Sequence, residues 1–184
     1  VNTVAMGESK AGIGDFLLMP ELLQRYSPKV FEITKEMIDK AMLLLKSNGL
    51  LEQELYDFEY VVYLSEPITE NAKEKFSFED EINYLKDTIS SLPNNKKLIY
   101  KPHPNDKSYK VDYVKKHLPK IIVNESKVPV EFILAKEPLI TDVVSYVSST
   151  LIFAKKITGR NIKCTSLAKM TGIKLSEAYI VMME

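Results

Sequence analysis

From residue 58 onward, short apolar runs alternate with stretches whose apolar positions recur at helical spacing. Residues 59–65 (EYVVYLS) are rich in β-branched and aromatic side chains and predict a buried strand. A loop, EPITENAKEKF, follows. Ser77 then caps a predicted helix running through about residue 90, with Asp80 placed to reach back in a capping box. KKLIYK over 96–101 predicts the next strand and ends directly in Pro102-His103-Pro104-Asn105. Residues 108–118 read as a helix and 120–123 as a strand. Pro129 opens a short helix over VEFILAK, and 137–144 predicts another strand. Ser148-Ser149-Thr150 starts a helix through about residue 157, 161–165 resembles a last short strand, and Ser176 caps a terminal helix.

Upstream the rhythm differs. Residues 1–27 carry Gly7, Gly12 and Gly14, but their spacing matches neither G-x-G-x-x-G nor a Walker pattern, and no clear strand precedes them. They read as a flexible segment or connector. A helix over 35–46 follows, with Thr34 as N-cap and Asn48-Gly49 as its stop. Met37, Ile38, Ala41, Leu44 and Leu45 fall on one side of it and predict a packing face.

Strands alternating with helices across short loops predict an α/β fold, a Rossmann-like doubly wound parallel sheet. The expected division is an N-terminal segment with one helix over 1–54, a connector or the remnant of an acceptor domain, and a Rossmann-like nucleotide-sugar-binding domain over 55–184.

Composition narrows the function classes. The 184 residues include 25 Lys+Arg against 25 Asp+Glu, so the electrostatic footprint of a general nucleic-acid binder is missing. One cysteine, Cys164, builds neither an internal disulfide nor a Cys-based zinc cluster, and the two histidines add no metal-ligand spacing. No apolar run approaches the roughly 20 residues that cross a bilayer. A chain opening at Val1 with no secretory pattern reads as a piece of something longer.

In a doubly wound sheet, ligands bind outside the carboxyl ends of the strands. The predicted strands deliver reactive residue types there. The first brings Ser65, Glu66, Thr69 and Glu70; the second brings Lys101 and His103; the fourth brings Ser145, Ser148, Ser149 and Thr150. Hydroxyls beside the free N–H groups of a helix start make an anion site, although a plain helix cap uses the same residues. His103 stands between two prolines that fix the backbone on either side, which suits an imidazole aimed at a leaving phosphate; a loop histidine in a tight turn would look the same. Glu131 opens the short helix after Pro129, where a carboxylate accepts from ribose hydroxyls or simply favours the helix dipole. His117, beside Lys115 and Lys116, reads as a helix-terminal residue.

Lys101-Pro102-His103-Pro104, then Pro129-x-Glu131, then Ser148-Ser149, occur in that order on successive units. Together they resemble the donor-binding, C-terminal half of bacterial sialyltransferases of GT-B architecture, with an HP motif, a downstream Glu and an SS motif. The nearest resemblance is to glycosyltransferase family 52, the lipooligosaccharide and capsule sialyltransferases. VVYLSEPITE is similar to that family's strand and "QP" loop, and the resemblance spans about 59–157.

The resemblance implies inverting transfer of sialic acid from CMP-sialic acid to a galactose-containing acceptor of a surface glycan. Under it, His103, Ser148 and Ser149 contact the CMP phosphate, Lys101 lies near the cytosine and Glu131 holds the ribose. Pro104 and Thr150 complete the donor-binding set. It implies no metal and no cofactor. Its partners are the nucleotide-sugar donor and the glycan acceptor, with no nucleic acid, and it leaves room for a peripheral membrane association and a homodimer. An activated sugar made in the cytoplasm implies a cytoplasmic protein, at most at the inner face of the membrane.

GT-B enzymes have two such domains, whereas this chain has room for one plus a tail, and the acidic motif expected of the other domain is absent. The general base is therefore open, with Glu66 and Glu70 as candidates on topology. Polysialyltransferases and CDP-glycerol glycerophosphotransferases carry HP-type motifs too and stand as alternatives. So do a non-catalytic nucleotide-binding domain and a plain protein scaffold.

Overall fold

A computed structural model describes residues 15–17, 30–49, 58–71 and 76–168. The chain divides into two units, Val1–Leu51 and Glu52–Glu184. In the first, strands β1 (Asp15–Leu17) and β2 (Val30–Glu32) pair in parallel, placing Phe16 opposite Phe31. The connector expected over 1–27 therefore contains a strand, one too short to leave a periodic signature. Helix α1 (Lys35–Ser47) starts where Thr34 Oγ1 accepts from the Met37 N–H and ends at Asn48, with Gly49 in the left-handed region at φ 68°. No residue of α1 is buried. Met37 and Leu44, expected in its packing stripe, are exposed, and the half-buried positions are Ile38, Ala41, Met42 and Leu45.

The second unit is built on β3 (Glu59–Leu64), whose residues after Glu59 are all buried. It pairs in parallel with β4 (Lys96–Lys101) on one side and β6 (Ile140–Ser145) on the other. β5 (Ile121–Val123) and β7 (Lys163–Ser166) form the edges, so the all-parallel order is β5-β4-β3-β6-β7. The order reverses between β3 and β6, where connections lead away to opposite sides and leave a crevice.

Side-chain alternation along β3 divides the core. Val61 and Tyr63 pack with Ile82, Leu85 and Val114 from α3 (Phe78–Ser91) and α4 (Ser108–His117). Tyr60, Val62 and Leu64 pack with Ile133, Leu134, Leu151 and Ala154 from α5 (Val130–Lys136) and α6 (Thr150–Thr158). Both faces are thus covered, as in a Rossmann-like fold.

The helix ends follow local chemistry. Ser77 and Asp80 close the expected capping box on α3, and Gly159, at φ 65°, ends α6. Three boundaries differ from expectation. Ile68–Asn71, expected as loop, is a one-turn helix, α2. β6 begins at Ile140 rather than at 137, because the Glu137 N–H still closes α5 onto the Ile133 carbonyl and Pro138 has no N–H to give a ladder. β7 is displaced to Lys163–Ser166. The terminal helix expected at Ser176 lies outside the described residues.

Candidate functional site

A cleft of about 950 Å³ opens at the carboxyl ends of β3, β4, β5 and β6. Glu66 enters it from the β3 exit, Lys101, His103 and Pro104 from β4, Glu131 from the start of α5, and Ser148, Ser149 and Thr150 from the start of α6. The residues of the Lys-Pro-His-Pro, Pro-x-Glu and Ser-Ser motifs line this cleft, as do Ser65, Glu66 and Thr150; Thr69 and Ser145, expected at the same strand exits, are buried and do not line it, and the Glu70 side chain lies outside the described residues. His117 is on the exposed end of α4, where its ring packs against Tyr113.

His103 is held at three points. Its backbone N–H donates to Asp106 Oδ2 at 2.9 Å, and its carbonyl accepts from the Asp106 N–H at 2.9 Å. The third contact sets the chemistry: the Asn105 N–H donates to His103 Nδ1 at 3.1 Å. A nitrogen that accepts cannot also carry the proton, so the neutral ring bears its hydrogen on Nε2. Pro102 and Pro104, lacking N–H groups, leave the donors of this turn to His103, Asn105 and Asp106.

Glu66 joins the β3 exit to the segment before α6. Its Oε1 lies 2.9 Å from Ser145 Oγ and accepts from the Val147 N–H at 3.3 Å. Burial pushes its carboxyl above the ordinary carboxylate range; the Ser145 and Val147 hydrogen bonds oppose that rise in part. Lys101 Nζ donates to the Ser126 carbonyl on the loop after β5, and burial pushes its ammonium down.

At the start of α6, Ser148 Oγ accepts from the Thr150 N–H at 3.3 Å. Ser149 occupies the N-cap position, yet its side chain makes no cap hydrogen bond and is exposed. A plain helix cap therefore describes Ser148 in part and does not describe Ser149, which lines the cleft. The buried Thr150 hydroxyl donates to Glu131 Oε1 at 2.8 Å, tying the starts of α5 and α6 together. Among the described residues no cluster of three or more His, Cys, Asp or Glu side chains is arranged to hold a metal ion, and no helix is long and apolar enough to cross a membrane.

Sequence reasoning passed over a buried ionic group directly behind the cleft. Lys110 Nζ lies 3.1 Å from Glu81 Oε2 and 3.0 Å from Asp106 Oδ1. It also donates to Ser65 Oγ at 3.1 Å and to the Glu66 carbonyl at 3.2 Å. The signal was present: Lys110 lies in register with Val114 and Leu118, four and eight residues on, on the inward stripe of α4.

Fold and site together define a Rossmann-like domain with hydrogen-bond donors converging on a cleft at its topological switch point. The model of the alpha-2,8-polysialyltransferase (POLYST) family matches residues 17–168, and the chain belongs to that family. The family reached is the polysialyltransferase alternative of the sequence analysis, and membership makes the protein a glycosyltransferase that works on a nucleotide-sugar donor and a glycan acceptor. No curated protein matches the chain.

Proposed function

We propose that the cleft binds CMP-sialic acid and that the enzyme passes the sialic acid, with inversion, to the 8-hydroxyl of a sialylated acceptor. Family membership supports the sialyl chemistry and favours a sialylated acceptor over a galactose-containing one. One observation carries the donor assignment: His103, Ser148 and Ser149, from two different strand exits, line a single cleft beside Glu131 and Lys101.

In the reaction the acceptor oxygen bonds to the anomeric carbon while the bond from that carbon to the phosphate oxygen breaks, and CMP leaves with the electron pair. His103 meets the developing phosphate charge through its Nε2–H. Because Nδ1 is already accepting, the ring serves as a neutral hydrogen-bond donor rather than as the acid that protonates the phosphate. The Ser149 and Ser148 hydroxyls and the start of α6 add donors on the same charge. Glu131 takes the ribose hydroxyls, and Lys101 borders the base. Glu66, raised by burial, is the better base for the acceptor proton than an ordinary surface carboxylate. Glu70 is the second candidate. This chemistry asks for no metal.

Histidine acylation tests the placement, because the chain has two histidines and only His103 lines the cleft. Saturating CMP-sialic acid should protect His103 from diethylpyrocarbonate while His117 keeps reacting. Equal reaction of both with and without donor contradicts the proposal.

A further inference from the structure

The cleft's fixed side rests on a cation that touches none of its open space. Lys110 is wholly buried, and its ammonium lies within 3.2 Å of four oxygens drawn from three separate elements. Ser65 Oγ and the Glu66 carbonyl come from the β3 exit, Asp106 from the turn after β4, and Glu81 from α3. Three N–H donors among four acceptors lock the group in place. Burial alone would lower this ammonium, but the two carboxylates outweigh it and hold it above its ordinary value. Glu81 is fixed in turn, its Oε1 accepting from the hydroxyls of Tyr63 at 2.9 Å and Ser65 at 3.1 Å.

What lies one bond beyond the cation is the cleft. Asp106 offers one oxygen to Lys110 and the other to the His103 N–H, closing the turn that brings the Asn105 N–H onto His103 Nδ1. On the other side, the Glu66 main chain is held by Lys110 while its side chain reaches Ser145 and Val147. A buried ion triad is no better for stability than well-packed apolar residues of the same volume. Its value here is geometric.

We propose that Lys110, acting through Asp106, is the positioning residue of the donor site, fixing the His103 ring in its Nε2–H form and holding the Glu66 segment against the same anchor. The proposal deepens the donor-site reading above and rests on it for the ligand.

The test reads the ring itself. In protein labelled with 15N-histidine, at a pH where both rings are neutral, two-bond proton–nitrogen spectra distinguish the tautomers, and His117 is the internal control. Wild type should show His103 with Nδ1 bare and Nε2 protonated. Lys110→Met should abolish that single signature. Asp106→Asn keeps size and shape but has one acceptor oxygen where the carboxylate has two, so it loses one of the two contacts and carries the test if Lys110→Met does not fold. In folded variants we expect a mixture of His103 tautomers, His117 unchanged, and turnover lowered about a hundredfold, the usual consequence of a misplaced reacting group. A folded variant with the wild-type His103 signature overturns the proposal. If the tautomer moves but wild type binds no CMP, positioning stands and the donor-site reading falls.

Discussion

The Asn105 backbone N–H donates to His103 Nδ1 across 3.1 Å, so the proton of the neutral imidazole sits on Nε2. The ring is thereby prepared to give a hydrogen bond before any ligand arrives. Pre-set donors are effective against developing charge because they need no reorganisation during the reaction.

His103→Ala removes that donor from a half-buried loop position that contributes nothing to either core cluster. CMP release from CMP-sialic acid should fall by about 10²–10³-fold, the range for loss of one oriented donor. Thermal unfolding should shift by no more than about 0.5 kcal/mol, as for surface positions. Equal turnover would remove His103 from the chemistry.

Ser149→Ala separates capping from binding. Because the Ser149 side chain makes no cap hydrogen bond, α6 should keep its stability. With Ser148→Ala added, CMP affinity should weaken by about 1–3 kcal/mol. Unchanged affinity, read by titration, would make both residues structural.

The proposed ribose contact falls on Glu131, whose carboxylate accepts from Thr150. Thr150→Val removes the 2.8 Å donation to Glu131 Oε1 and should cost about 1 kcal/mol of stability. Glu131→Ala should narrow the preference for CMP over 2′-deoxy-CMP, because it removes the carboxylate proposed to meet the ribose hydroxyls. A preference equal to wild type would place the ribose elsewhere.

Glu66 predicts a pH signature. Burial raises its carboxyl in the folded state above the ordinary 4.5, so folding favours the protonated form. The stability this contributes is fully present below the ordinary value and is lost as pH rises through the raised one. Glu66→Gln, a neutral mimic, lacks that loss. Wild type and variant should therefore match most closely at acid pH, with the variant gaining relative stability toward neutrality; parallel curves would contradict the burial argument.

The sheet was legible because its central strands are continuous apolar runs, the pattern of strands covered on both faces. Chain order then put His103, Glu131 and Ser148-Ser149 at strand exits, and one cleft does collect them. β1 and β2 escaped notice because three residues carry no period. Lys110 and Glu81 escaped because charged residues are counted as solvent-facing unless paired, and their pairing joins α3, α4 and two loops that no local pattern connects. The tautomer of His103 depends on a backbone N–H two residues away and has no sequence signal at all.

Whether this cleft is a CMP site is read out by calorimetric titration with CMP, CDP and UMP side by side. Saturable binding that is selective for CMP and lost in His103→Ala is expected. Binding that ignores the nucleotide offered, or survives His103→Ala at full strength, would contradict it.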